Sequence, residues 1–349
     1  MAHDLLAPVV LGPNQPDGRP YRGGAGIARL RGIAQTSEFT PEDFVASTTE
    51  VFGGGAGLTV LPNGRTLLQE IADDPTGYLG AVHVARFGAD PALLVKLLHT
   101  GERLFVHFHP DAAFASAHFG LERGKTEAWI VVATEGDACA YLGFTRDVDE
   151  VEVQRWVAEQ DIDAMLDAMN RVELRPGDTL FVPATLPHAI GSGVTLVELQ
   201  EPVDLSILLE YRGFNGLTAQ SALLGLDQRT ALADLDRREW DAQRLATLTA
   251  SRAGADTGTA TGTVRAAATS LFPEAADVYF RAERLRVDGG AMRLDAGFSI
   301  IVVLDGSGVL TTDVGSLDLV VGMTVLIPFS AGAVELAGSL EAIRCMPPR

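Results

Sequence analysis

The chain has 349 residues, with 27 basic and 46 acidic side chains and a formal charge of −19, a field that repels phosphate backbones and anionic lipid surfaces and so argues against nucleic-acid and membrane partners. Hydrophobic residues make up 47% and charged residues 21%, the balance of a globular chain with room for two or three domains. Cys139 and Cys345 are too few for a disulfide framework, MAHDLLAPVV carries no basic segment ahead of a long apolar run, and no stretch nears the roughly 20 apolar residues of a membrane span; the expectation is a soluble, cytoplasmic protein.

In chain order, Thr40 and residues 41–47 read as a helix start, with an N-cap and acidic residues in the first turn. Residues 53–57 form a glycine-rich loop, without the preceding strand and following Lys-Ser/Thr of a phosphate cradle. Residues 66–73 predict a short helix. From Leu93 the texture changes. LLVKLL and RLFVHFHPD have strand character, and AWIVVAT reads as a buried strand closed by the turn Glu135-Gly136-Asp137. Residues 157–170 predict helix, 178–182 and 194–199 strands, and 216–249 helix again. Residues 251–263, SRAGADTGTATGT, read as a linker. Short apolar strands with glycine turns follow, up to Met346.

The chain repeats itself weakly. Glu127-AWIVVATE-Gly136 overlays Gly297-FSIIVVLD-Gly306, and Gly177-DTLFV-Pro183 overlays Gly322-MTVLI-Pro328. Two related β-barrels follow from this, the second near residues 265–349. In that overlay Gly297 stands at the position of Glu127 and Ala333 at that of His188, so the second barrel lacks donors there.

The strongest chemical signal is His107-Phe108-His109. Residues two apart on a strand share a face, so both imidazoles point together into a barrel. Glu127 can come from a neighbouring strand. His188 ends a Gly-x5-Pro-x4-His segment, whose turn returns the chain to the barrel mouth. Three imidazoles and one carboxylate suit one divalent ion: zinc first, with manganese, iron, cobalt or nickel as alternatives. The other histidines, His3, His83, His99 and His118, read as surface or satisfied side chains.

With these residues in view, the sequence resembles the type I mannose-6-phosphate isomerases. The pieces that carry the resemblance are Pro41-Glu42-Asp43-Phe44-Val45-Ala46-Ser47, Leu94-Val95-Lys96-Leu97-Leu98, His109-Pro110-Asp111 and Gly124-Lys125-Thr126-Glu127-Ala128-Trp129. The run from Gly177 to His188 with Ala189-Ile190-Gly191-Ser192-Gly193, and Val197-Glu198-Leu199-Gln200, complete it. The resemblance implies a mainly β fold with a helical insertion: two cupin (jelly-roll) barrels, the second degenerate, plus a helical region. The expected division is 1–215 for the N-terminal segment and metal-binding barrel, 216–264 for the helical segment and linker, and 265–349 for the degenerate barrel.

The resemblance further implies that His109, Glu127 and His188 hold the metal, with His107 where the family usually has glutamine. It places Glu42, Lys96, Lys125, Glu198 and Asp204 in a substrate pocket. Two positions depart from the pattern: Leu208 stands where an arginine is expected and Phe214 where a lysine is expected. Arg212, close by, is the remaining cation for a substrate-binding role. The implied activity is metal-dependent aldose–ketose isomerisation of a hexose or hexose phosphate, with Lys125, Asp204 and Glu198 as candidate proton carriers. The alternatives are a cupin enzyme of another reaction type (epimerase, lyase or oxygenase) on a sugar-like substrate, and a non-catalytic sugar-binding cupin.

Overall fold

The computed structural model describes residues 5–249 and 266–349; the linker expected at 251–263, and His3, lie outside the described residues. Two five-stranded antiparallel sheets face each other across one interior. The first runs, in spatial order, Glu42–Val45, Leu94–His99, Val194–Gln200, Glu127–Thr134, Thr179–Val182. The second runs Ile207–Leu208, His107–Phe108, His188–Ile190, Cys139–Phe144, Met169–Glu173. A third sheet has seven strands, six of them from the end of the chain.

Strand alternation decides what each face does. In the first sheet Leu98, Trp129, Val131, Leu196 and Val182 turn into the space between the two sheets, where they meet Leu104, Phe105, Leu142, Ile190 and Leu208. Their neighbours Val95, Leu97, Ala128, Ile130, Val197 and Leu199 turn outward and pack on Phe298, Ile300, Val302, Leu326 and Ile343 of the third sheet. The third sheet alternates in the same way. Ile301, Val303, Val325 and Ile327 enter its own core with Leu285 and Leu336. The outer face of the second sheet, Val106, Phe108, Phe144, Ala189 and Leu209, is covered by Val153, Trp156 and Val157 of the helix Glu150–Glu159 and by Leu223, Leu232 and Leu235. The layers therefore run helices, sheet, interior, sheet, sheet. Leu199 is fully buried at the junction of the first and third sheets. Leu199→Ala is expected to lower stability by about 2–5 kcal/mol through the cavity it leaves; denaturant unfolding of the metal-free protein measures it, and a change under about 1 kcal/mol would show that the junction repacks.

Several expectations need correction. Residues 41–47 are no helix: Glu42–Val45 is a fully buried edge strand paired with Leu98 to Val95. Ladder bonds and burial outweigh the local capping signals of Thr40 and the acids. Residues 157–170 divide into Glu150–Glu159, Ile162–Asp167 and the start of the strand Met169–Glu173; Gln160, with φ 54°, ends the first helix. Residues 216–249 give three short helices, Ala219–Ala222, Gln228–Ala231 and Ala242–Thr249, because Leu224 and Gly225 turn left-handed and Thr218 and Asp227 cap new starts. The strand in RLFVHFHPD is only His107–Phe108. The helix at 66–73 is present as Leu67–Asp73, with Thr66 in a capping box with Gln69.

The N-terminal segment does not belong wholly to the first barrel, since Val9–Leu11 pairs with Thr324–Ile327 as an edge of the third sheet. The internal overlay also shifts. Glu127 pairs with Val182, and the residue paired with Ile327, which stands for Val182, is Ser299. Ser299, rather than Gly297, is the structural counterpart of Glu127; a two-residue slip keeps the same face. No helix among the described residues is long and apolar enough to cross a membrane, and both described cysteines are free and buried.

Candidate metal centre

His107 and His109 point inward while Phe108 between them is buried on the outer face among the helices. His107 pairs directly with His188 on one side and Leu208 on the other, and His188 with Leu142. One row of the second sheet thus carries two imidazoles. The ring centroids lie 4.1 Å apart for His107 and His188, and 4.9 Å from each of these to His109. One nitrogen of each of the three buried residues lies within 4.8 Å of the others.

Every ring is oriented by a backbone carbonyl. Nδ1 donates to Phe105 O at 3.0 Å from His107, to Leu205 O at 2.9 Å from His109, and to Leu186 O at 2.8 Å from His188. A carbonyl only accepts, so Nδ1 carries the proton and each Nε2 keeps its lone pair. Glu127 approaches from the first sheet, with Oε2 3.0 Å from His109 Nε2 and Oε1 3.3 Å from His188 Nε2. Trp129 Nε1 donates to Oε1 at 2.9 Å. The Nε2 atoms of His109 and His188 and Glu127 Oε2 are buried with no hydrogen-bond partner. Acceptors facing one another at this distance, out of water, are costly. A divalent cation among them would satisfy all three, so the residues present fit a metal, and the donor set is that of zinc and other first-row ions.

Charge supports the same fit. Burial, the neighbouring histidines His188 and His109, and Lys125 push His107 well below its ordinary value. Burial and Lys125 bring His109 down to about 3. Burial alone would raise Glu127, but His109 and Lys125 hold it well below the carboxylate range. A histidine depressed in the fold contributes stability above its unfolded value near 6.5, and loses it as pH falls toward the folded value. The metal-free protein is therefore expected to lose thermal stability as pH falls from about 6.5 toward 4; a melting temperature that holds or rises over that interval would refute the neutral-imidazole assignment.

A second cluster adjoins the first. Lys96, fully buried, reaches Glu42 and Asp204 at 3.2 Å each and Glu198 at 3.8 Å, and lies over the Phe44 ring at 4.6 Å. Arg19 pairs with Glu42 and, at 3.4 Å, with Asp204. Asp204 also accepts from the Phe52 backbone N–H at 3.1 Å. Despite burial, Lys96 and Arg19 hold Asp204 far below its ordinary value, while burial and Glu127 push Glu198 up to about 7. Lys125 Nζ lies 3.3 Å from Glu127 Oε2, and connects the two clusters. Gly124 makes that placement possible, since a Cβ there would stand 2.6 Å from Pro110 O.

Both clusters line one cavity of about 40 Å³, walled by His107, His188, Glu127, Lys125, Glu198, Asp204, Glu42 and Arg19, and by Tyr21, Leu98, Leu104, Phe105, Ile190 and Ser206. Of the expected site residues, His109, Lys96 and Arg212 do not line the cavity; His109 stands behind it in the histidine cluster, 3.0 Å from Glu127. Lys96 sits behind the wall, under three carboxylates. Arg212 is exposed and donates to Glu159 O at 3.3 Å, because the turn after Leu208 carries it away from the interior. Leu208 is buried in the barrel interior, and Phe214 lies with its ring 5.2 Å from that of Phe105. Arg19, Tyr21, Phe52 and Ser206 escaped notice in the sequence. They lie in turn-rich segments without periodicity, and only a tertiary contact reveals them.

Two facing antiparallel sheets, with three imidazoles and a carboxylate between them, define a cupin. Residues 269–347 match the family model of the mannose-6-phosphate isomerase cupin domain. The chain is 32% identical over 162 residues to mannose-6-phosphate isomerase of Streptococcus mutans, covering 45% of this chain and 50% of that protein. It shares a fold with the mannose 6-phosphate isomerase of Bacillus subtilis, at a TM-score of 0.76 and 21% identity over 97% of this chain and 99% of the other. A mannose 6-phosphate isomerase solved with zinc and yttrium superposes at a TM-score of 0.72 with 15% identity, over 99% of this chain and 100% of the other. The chain is thus similar to mannose-6-phosphate isomerases over part of its sequence, and shares their fold over nearly all of its length. Its match spans about half the length of these curated relatives.

Proposed function

We propose that the protein is a metal-dependent aldose–ketose isomerase acting on a hexose or hexose phosphate, in the cytoplasm. The observation that carries this reading is the set of orphaned Nε2 and carboxylate acceptors on one wall of a cavity whose other wall holds Glu198 and Asp204. His107, His109, His188 and Glu127 would hold the ion, zinc first, and the bound ion supplies Lewis acidity toward a substrate oxygen. The curated relatives named as mannose-6-phosphate isomerases, and the zinc in a related structure, support the same reading.

The protein's own groups account for the proton movements. Isomerisation moves hydrogen from C2 to C1 and, in compensation, a proton from O2 to O1. Glu198, raised to about 7, suits the carbon proton, because a base works best near the operating pH. It takes the proton from C2 and returns it to C1. Lys125 carries the compensating proton between the two oxygens. Asp204 accepts from Lys96 on Oδ1 and from Arg19 and the Phe52 N–H on Oδ2, which keep it ionised and leave one acceptor site on Oδ1 to orient a hydroxyl. In this reading the barrel within residues 1–215 does the chemistry, and residues 265–349 cover the outer face of its first sheet. The test combines metal analysis with isomerisation of mannose and mannose 6-phosphate in deuterated water. One equivalent of metal and deuterium at the transferred position are expected; ketose formation by a metal-stripped sample at the same rate would end the proposal.

A further inference from the structure

This inference rests on the isomerase reading and concerns the charge of what that isomerase accepts. Among the described residues, every cation at the cavity is already held by a carboxylate. Arg19 spans Glu42 and Asp204, Lys96 lies among Glu42, Glu198 and Asp204, and Lys125 faces Glu127. Four carboxylates, Glu42, Glu127, Glu198 and Asp204, thus confront three side-chain cations, Arg19, Lys96 and Lys125, and the charge of a bound ion would be spent on Glu127 and the reacting sugar oxygen. Arg103, next to the lining residue Leu104, is fixed in a two-pronged bond to Glu210 at 2.6 and 2.7 Å. A guanidinium so matched by a carboxylate is unavailable to a second anion.

The rest of the wall has no charge to offer. Phe105 stands edge-on to Tyr21 at 5.9 Å, with Leu98, Leu104 and Ile190 beside them; behind this wall lie Phe214, 5.2 Å from Phe105, and Leu208, the strand partner of His107. A phosphate dianion placed there would give up its water for apolar side chains and carboxylates. An uncharged sugar meets the opposite situation. Its hydroxyls donate, and Asp204 and Glu198 can accept; its C–H face is apolar and suits an aromatic surface.

We infer that the cavity selects an uncharged aldose over a sugar phosphate, with the carboxylates accepting from its hydroxyls and the Tyr21–Phe105 wall covering its apolar face. The experiment uses the metal-loaded full chain. Turnover is compared for mannose and mannose 6-phosphate, and calorimetry compares binding of mannitol and mannitol 6-phosphate, which cannot react. The expected result is a preference for the uncharged member of each pair of at least about tenfold, or about 1.4 kcal/mol. Equal or better turnover of the phosphate ester would overturn the inference and leave the isomerase reading standing. If neither aldose reacts, the isomerase reading fails and calorimetry alone decides. Tighter mannitol then upholds the charge selection, while tighter mannitol 6-phosphate, or no binding of either, overturns it.

Discussion

His109→Ala will abolish stoichiometric metal binding. His109 is the imidazole closest to Glu127, at 3.0 Å, and its Nδ1–H is fixed on Leu205 O. The substitution removes a direct donor and leaves Glu127 with one imidazole contact, from His188. Loss of a group that merely orients a ligand already costs about 10–100-fold in metal affinity, so loss of the ligand itself should cost at least about 100-fold. Competition against a chromogenic chelator reads the affinity directly, and circular dichroism checks that the barrel persists. The metal-dependent rise in melting temperature should vanish with it, since ligand-linked stabilisation scales with affinity. One equivalent of metal retained at unchanged affinity would show that the histidine cluster is not the site.

Glu198→Gln will remove turnover while leaving metal content intact. Glu198 stands opposite Lys96 on one side and Trp129 on the other, so it is the diagonal neighbour of Glu127 on the same inner face. Glutamine keeps its shape and cannot carry a proton. A loss of about 10²–10⁴ in kcat/KM is the usual share of a positioned acid–base group. The wild type should show an acid limb in kcat/KM at or below pH 7, as a nearby dication favours the carboxylate over the value of about 7 set by burial and Glu127. The variant should lack that limb. Activity within tenfold of the wild type, with the limb unchanged, would transfer the proton to another group.

The histidine–glutamate cluster is legible in the sequence because it depends on short-range periodicity. His107 and His109 share a face by the two-residue repeat of a strand, and Glu127 opens an apolar run that can only be a buried strand. The Gly-x5-Pro-x4-His segment fixes His188 in the same local way. The second cluster depends on partners far apart in sequence. Lys96 meets Asp204 across 108 residues and Arg19 meets Asp204 across 185. Nothing in PDGRPYRGG marks Arg19 as a wall of the site. Residues 41–47 carry helix-capping chemistry, yet the edge of the first sheet claims them. The internal repeat identified the second barrel, but the true register differs by two residues, which composition alone cannot distinguish because both choices keep the same face inward.

The glycine-rich loop at residues 53–57 has a kinetic consequence. The cavity of about 40 Å³ has room for a water or an ion, whereas pockets for small organic ligands run to about 300–1,000 Å³. A ligand the size of a hexose would enter only if part of the wall moved. Phe52 is held to Asp204 by one backbone hydrogen bond, and the adjoining Gly53, Gly54, Gly55 and Gly57 all adopt positive φ, the conformations that glycine interconverts most freely. Parting of that bond removes one restraint on Asp204, while the far end of the loop stays tied by Asn14 Nδ2 donating to Gly57 O at 2.8 Å. Were sugar to pass beside this loop, its opening would limit turnover, and kcat would fall as solvent viscosity rises; a kcat independent of viscosity would exclude that route.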